Sequence, residues 1–128
     1  MKSIDPRTFE YSDTVWGDIF NHLKNAGFDV FSPGTKVGEC TTPYVVVTVS
    51  TTTKEANYRT DKYLYTIICY VPKLQYSKLE PFVRSIRESM KELYPYVQYN
   101  GSMTPSFYDD TIKAHNISID YKNYKLIS

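Results

Sequence analysis

The sequence predicts an α+β domain: two helices packed on one face of a mainly antiparallel sheet, in the order α-β-β-β-α-β-β. Three observations predict it. The segments 13–26 and 77–93 carry apolar residues at helical spacing. The segments 44–49 and 62–71 are rich in β-branched and aromatic residues. Turn-forming residues separate these segments, without a repeat, a low-complexity tract or an interdomain linker. At 128 residues the chain fits one domain, since domains typically hold about 100–150 residues. Residues 1–12 form an N-terminal arm ahead of it.

The first helix is expected from about Asp13 to Ala26, with Ser12 or Asp13 as its N-cap. Val15, Trp16, Ile19, Phe20, Leu23 and Ala26 fall on one face, and Gly27 supplies the left-handed residue that ends a helix. Phe28 to Phe31 reads as a short strand, broken by Ser32-Pro33-Gly34. After a polar loop, Tyr44 to Val49 is a strong strand. Ser50 to Asp61 is polar and reads either as a long hairpin tip or as polar extensions of the flanking strands.

Lys62 to Val71 places Tyr63, Tyr65, Ile67, Cys69 and Val71 on one face and Leu64, Thr66, Ile68 and Tyr70 on the other. Both faces are largely apolar, which marks an inner strand covered on both sides, by helices on one and a neighbouring subunit on the other. Ser77-Lys78-Leu79-Glu80 reads as a capping box opening the second helix. Leu79, Phe82, Val83, Ile86, Met90 and Leu93 then lie within an arc of roughly 100°. Glu80–Arg84 and Arg84–Glu88 are i,i+4 pairs, and Pro95 stops the helix.

Tyr96 to Tyr99 is a strand candidate closed by the tight-turn dipeptide Asn100-Gly101. Met103 to Tyr108 reads as an edge strand because it contains Pro105. Asp109-Asp110 turns the chain into a last strand, Thr111 to Tyr121. Its apolar alternation slips between Ala114 and Ile117, and a β-bulge near His115-Asn116 would repair the register.

The formal net charge is +1. Near-neutrality argues against a general nucleic-acid binder or a polybasic membrane anchor. No apolar run approaches the ~20 residues that span a bilayer. The N-terminal residues have no apolar stretch of the kind a signal peptide needs, so a cytoplasmic site of synthesis is expected. Cys40 and Cys69 allow one disulfide at most; two reduced thiols are the expectation.

No residue pattern carries chemistry, and none is assigned a catalytic, metal-binding or cofactor-binding role. His22 and His115 stand in no zinc spacing. Cys69 with a histidine would make a thiol nucleophile pair, but a strand-buried cysteine is ordinarily inert. The five glycines are scattered and form no phosphate loop. KYLYTIICYV lacks the glycine and aromatic spacing of an RNA-binding sheet. The unusual feature is 13 tyrosines, residues that suit surfaces apolar on one side and wet on the other. Strand preference for tyrosine accounts for part of that number.

The order of features resembles the tail terminator, or tail completion, proteins of long-tailed phages. The resemblance runs from about Asp13 to Ile127. It lies in the helix ending at Gly27, the Pro43-Tyr44-Val45-Val46-Val47 strand and the polar hairpin with Asn57-Tyr58-Arg59. It continues through the Tyr-rich strand, the helix Ser77–Leu93, Phe107-Tyr108-Asp109-Asp110 and the final strand with Ile117-Ser118-Ile119. The arm 1–12 departs from the compact form of that family. The resemblance implies a non-enzymatic virion assembly protein. It would be one subunit of a ring, commonly hexameric, that caps the tail tube and joins it to the head connector. The implied partners are sister copies, the tail tube protein and the head–tail connector protein. The implied place is the tail or neck of the virion, after synthesis in the host cytoplasm. A ring needs two different contact surfaces per subunit. Tyr58, Arg59 and Lys62 on the hairpin, with Tyr63 and Tyr65 beside it, are the candidate interface residues. The alternative is a cytoplasmic adaptor or regulator that binds another protein through its sheet or hairpin.

Overall fold

The computed structural model describes residues 14–54 and 60–126, the side chains of 51–54, 60–62 and 124–126 excepted. Two helices lie on one face of a six-stranded sheet. The elements are α1 (Val15–Asn25), β1 (Val30–Phe31), β2 (Tyr44–Lys54), β3 (Thr60–Pro72), α2 (Leu79–Met90), β4 (Gln98–Met103), β5 (Phe107–Asp109) and β6 (Ala114–Leu126). The sheet order is β1-β2-β3-β6-β4, and β5 also pairs with β6. All pairings are antiparallel except β1 with β2, which is parallel. The α+β class holds, with one more strand after α2 than the expected order. No helix among the described residues is long and apolar enough to cross a membrane.

α1 begins at Val15, two residues later than expected. Thr14 is its N-cap, in extended conformation, and its hydroxyl accepts the Gly17 N–H at 3.0 Å; Ser12 and Asp13 lie outside the described residues. Gly27 sits at φ +101°. Its N–H donates to the Lys24 carbonyl and that of Phe28 to the Leu23 carbonyl, the paired bonds that close a helix on a left-handed residue. A Cβ at Gly27 would meet nothing within 4 Å, so only the backbone resists a side chain there. Gly27→Ala is expected to lower stability by about 1–2 kcal/mol, the cost of a left-handed L-residue, as urea unfolding would measure.

The central strands are β3 and β6, paired without a break from Thr60 opposite Leu126 to Pro72 opposite Ala114. Their helix-side residues Tyr65, Ile67, Cys69 and Val71, with Ile119 and Tyr121, are buried against Ile19 and Leu23 of α1 and Val83, Ile86 and Met90 of α2. A smaller cluster lies on the opposite face. There Cys40, Tyr44 and Ala114 pack with Phe31, Val46, Tyr70 and Ile112, held by the Cys40 N–H donating to the Ile112 carbonyl at 2.8 Å. This cluster explains the apparent slip in the last strand. Ala114 faces it while Ile117 and Ile119 face the helices, so no bulge exists at His115-Asn116. The hairpin bulge lies instead in β2, between Val49 and Thr51.

Polar Ser50 to Asp61 divides between the two readings it allowed. β2 runs on to Lys54 and β3 starts at Thr60, leaving 55–59 as the tip, outside the described residues. The capping box does not form. Ser77 lies inside a 3-10 turn, Lys73–Lys78, that feeds straight into α2, whose N-cap Lys78 makes no side-chain cap. The Leu79 N–H is met by the Tyr76 carbonyl, so Ser77 never takes the extended conformation a cap requires. Glu88 pairs with Lys91 at 3.0 Å, and neither expected pair of Arg84 forms among the described residues. Asn100-Gly101 is not a hairpin turn. It lies within β4, where the register to β6 breaks between Tyr99 and Met103, and Gly101 takes φ +81°. A bulge asks for the same left-handed freedom as a turn. The Asp109-Asp110 turn does form, with the Asp109 carboxylate accepting the Thr111 N–H at 2.9 Å.

Candidate functional site: the aromatic edge of the sheet

Of the five candidate interface residues, Tyr58 and Arg59 lie outside the described residues. The Lys62 backbone sits in β3 between Thr53 and Tyr124; its side chain is likewise outside. Tyr63 is half-buried against the core, and Tyr65 is 5 % exposed within it. Burial pushes the Tyr65 phenol above its ordinary value. Both rings share the helix-covered face with Ile67, so the expectation that Tyr65 docks a sister copy is corrected. It is a core residue.

The exposed aromatics gather elsewhere. β4 and β5 lie end to end along β6, on the side away from β3. Tyr99 and Met103 stand exposed on β4, Phe107 and Tyr108 on β5, and Tyr94 and Tyr96 on the segment leading into β4. Phe107 is 55 % exposed and Tyr94 69 %. At the β5 end, Tyr76 contacts the His115 ring at 4.8 Å and Tyr108 contacts it at 5.0 Å. The Tyr76 hydroxyl meets Ser106 at 3.4 Å. Among the described residues the remaining exposed large apolar side chains are Leu74, Val37 and Val49. Scattered exposed apolar residues need no explanation, whereas a contiguous row marks a contact surface.

Hydrogen bonds to α1 and to β6 hold the segment before β4 in place. The Tyr96 hydroxyl donates to Asp18 of α1 at 2.6 Å. The Asn123 amide of β6, itself buried, donates to the Tyr96 carbonyl at 2.8 Å. Burial first, and then the Asp18 carboxylate, push the Tyr96 phenol far up. Between α2 and β4 this leaves a cavity of 310 Å³, floored by Met90, Val97 and Tyr121 and walled by Tyr94 and Tyr99. Arg87 and Lys91 stand at its rim. The Arg87 guanidinium lies 4.4 Å from the Tyr99 ring centroid, a cation–π contact. Burial raises the Tyr121 phenol to about 12 against the opposing pull of Arg87.

The cysteines and histidines have the following surroundings. Cys40 and Cys69 are free and buried on opposite faces of the sheet. Burial pushes both thiols up, Cys69 the further, which keeps them protonated and weak as nucleophiles at neutral pH. His115 Nε2 bonds the Lys73 carbonyl at 3.1 Å and His22 Nε2 the Ser89 carbonyl at 2.8 Å. Among the described residues no group of three or more His, Cys, Asp or Glu is placed to hold a metal. The tyrosine number did not say where the exposed aromatics would lie. The signal that would have found it is the density of aromatics from Tyr94 to Tyr108, in a stretch with too few buried positions to absorb them. No protein-family model matches the chain, and no curated protein matches it significantly.

Proposed function

We propose that the chain is a non-enzymatic assembly protein, one subunit of a ring that caps a phage tail tube and joins it to the head connector. The observation that carries this reading is the group of exposed aromatic side chains on β4, β5 and the segment leading into β4. It is a strand edge, and tyrosine-rich surfaces of this kind favour protein contacts. The resemblance in feature order supplies the particle, with the tail tube protein, the connector protein and sister copies as partners. In this reading the protein is made in the host cytoplasm and ends in the tail or neck of the virion, without membrane or sequence-specific nucleic-acid contacts. Electron microscopy of particles assembled without the protein tests it. Tails of irregular length that fail to join heads are expected. Tails of uniform length that join heads normally would reject the reading, in favour of an adaptor that uses the same edge on another protein.

A further inference from the structure

We propose that residues 1–13 of the chain lie along the groove between α2 and β4, with the acidic stretch just before α1 seated beside Arg87 and Lys91. The proposal is independent of the phage reading.

The groove follows from the fold. α2 packs on β3 and β6, and β4 lies one strand further out. The helix-side residues of β4, Tyr99 and Met103, therefore stand beside α2 rather than beneath it and stay exposed. Three hollows line up in the gap. The 310 Å³ cavity at Tyr94 and Val97 shares Arg87 and Lys91 with a second of 250 Å³. The second shares Glu80, Val83 and Met103 with a third of 340 Å³, which ends at Tyr76 and Ser106. Together they follow the length of α2, twelve residues or about 18 Å. The floor is apolar, with Met90, Val97 and Tyr121 at one end and Leu79 and Ile117 at the other. A contiguous apolar surface of this kind marks a contact site. Phe107 and Tyr108 line none of the three hollows, so a segment in the groove leaves them open.

Three observations name the occupant. The first is where residues 1–13 join the fold. Thr14 is one turn of α1 before Asp18, whose carboxylate accepts the Tyr96 hydroxyl at 2.6 Å. Tyr96 in turn lies between Tyr94 and Val97, which line the first hollow. The second is length. Thirteen extended residues span up to about 43 Å, enough to pass Tyr96 and follow the whole groove. The other segments outside the described residues are 55–59, which joins β2 to β3, and 127–128. The third is the order of chemistry. Phe9 and Tyr11 flank Glu10, Asp13 follows, and no cation stands from Thr8 to Asp13. The cations Arg87 and Lys91 stand at the first hollow, Lys91 already 3.0 Å from Glu88. Lys2 and Arg7 come further from α1, with Asp5 between them, and the further part of the groove is the part that Glu80 lines. In this placement Phe9 fills the first hollow, Glu10 meets the two cations, and Ile4 lies towards Ile117.

The full chain carrying Glu10→Cys and Lys91→Cys tests the placement with a short thiol–thiol crosslinker. Cys40 and Cys69 are buried. Lys24, exposed ten residues along α1 from Thr14, supplies the comparison, as Glu10→Cys with Lys24→Cys. The first pair is expected to crosslink within one chain in roughly tenfold higher yield than the second, because docking raises the local concentration of one thiol beside the other. Equal yields would overturn the proposal. Crosslinks of the first pair between chains would overturn it in favour of a groove filled by a second copy's residues 1–13. Amide exchange gives a second measurement. At residues 8–11 the unmodified chain should exchange roughly tenfold more slowly than the Arg87→Glu, Lys91→Glu variant, the effect of reversing two surface charges. Adding Glu10→Lys to that variant should restore the slow rate. Equal rates in all three chains would reject the placement, and a fast rate that Glu10→Lys leaves unchanged would reject the seating beside Arg87 and Lys91.

Discussion

Replacing Ile67 by alanine is expected to cost the isolated chain about 2–5 kcal/mol, the range for a large-to-small change in a close-packed core. Ile67 is fully buried on β3, the strand bonded on both sides, and its side chain is enclosed by both helices. Ile68, the next residue, points to the opposite face and is half-buried there. Its replacement by alanine removes less contact and is expected to cost about 1–2 kcal/mol. Urea unfolding of the two variants measures the difference. Because the chemistry of the two changes is identical, the gap between them reads only which face the helices cover. Equal losses would mean that the second face is as enclosed as the first.

That pair of neighbours also shows what the sequence made legible. The alternation in KYLYTIICYV put Ile67 and Ile68 on opposite faces of an inner strand, and the structure places β3 between β2 and β6. Helical spacing in α1 and α2 named their buried faces, and Gly27 marked where α1 stops. These signals are strong because burial acts on every turn or every second residue, so a single exception does not erase them. Isolated local signals fared worse. Ser77 with Glu80 has the residues of a capping box, but the chain enters α2 through a 3-10 turn, and backbone geometry decides whether a cap forms. Asn100-Gly101 has the residues of a turn and sits in a bulged strand.

The candidate surface was legible in kind but not in place. Tyr63 and Tyr65 stood out because they sit in the most strand-like segment. That same property carries them beneath the helices. Tyr99, Phe107 and Tyr108 belong to short strands, and short strands at the rim of a sheet are where side chains stay exposed. Distinguishing the two needs the strand order, which a single sequence does not display.

Stability is expected to fall steeply as the pH rises from 10 to 12. Tyr44 and Tyr121 are each 3 % exposed, and burial raises both phenols to about 12 from an ordinary value near 10. The sign follows from proton binding. Within that window the folded chain keeps protons on these phenols that the unfolded chain has released, so each further rise in pH favours unfolding. The stabilisation is complete below the unfolded value and disappears as pH passes through the folded one. Each phenol contributes a slope of about 1.4 kcal/mol per pH unit. Both together reach about 5 kcal/mol across the window, comparable with the whole stability of a small domain. Tyr96 and Cys69 are raised in the same direction and steepen the fall. Urea unfolding at stepped pH, with tyrosinate absorbance recorded alongside, measures it. Tyrosinate from Tyr44 and Tyr121 should appear only as the chain unfolds. A Tyr44→Phe, Tyr121→Phe double variant should show a shallower dependence over the same range. A wild-type stability that stays flat to pH 12 would mean that these two hydroxyls are open to solvent, against the packing described for both clusters.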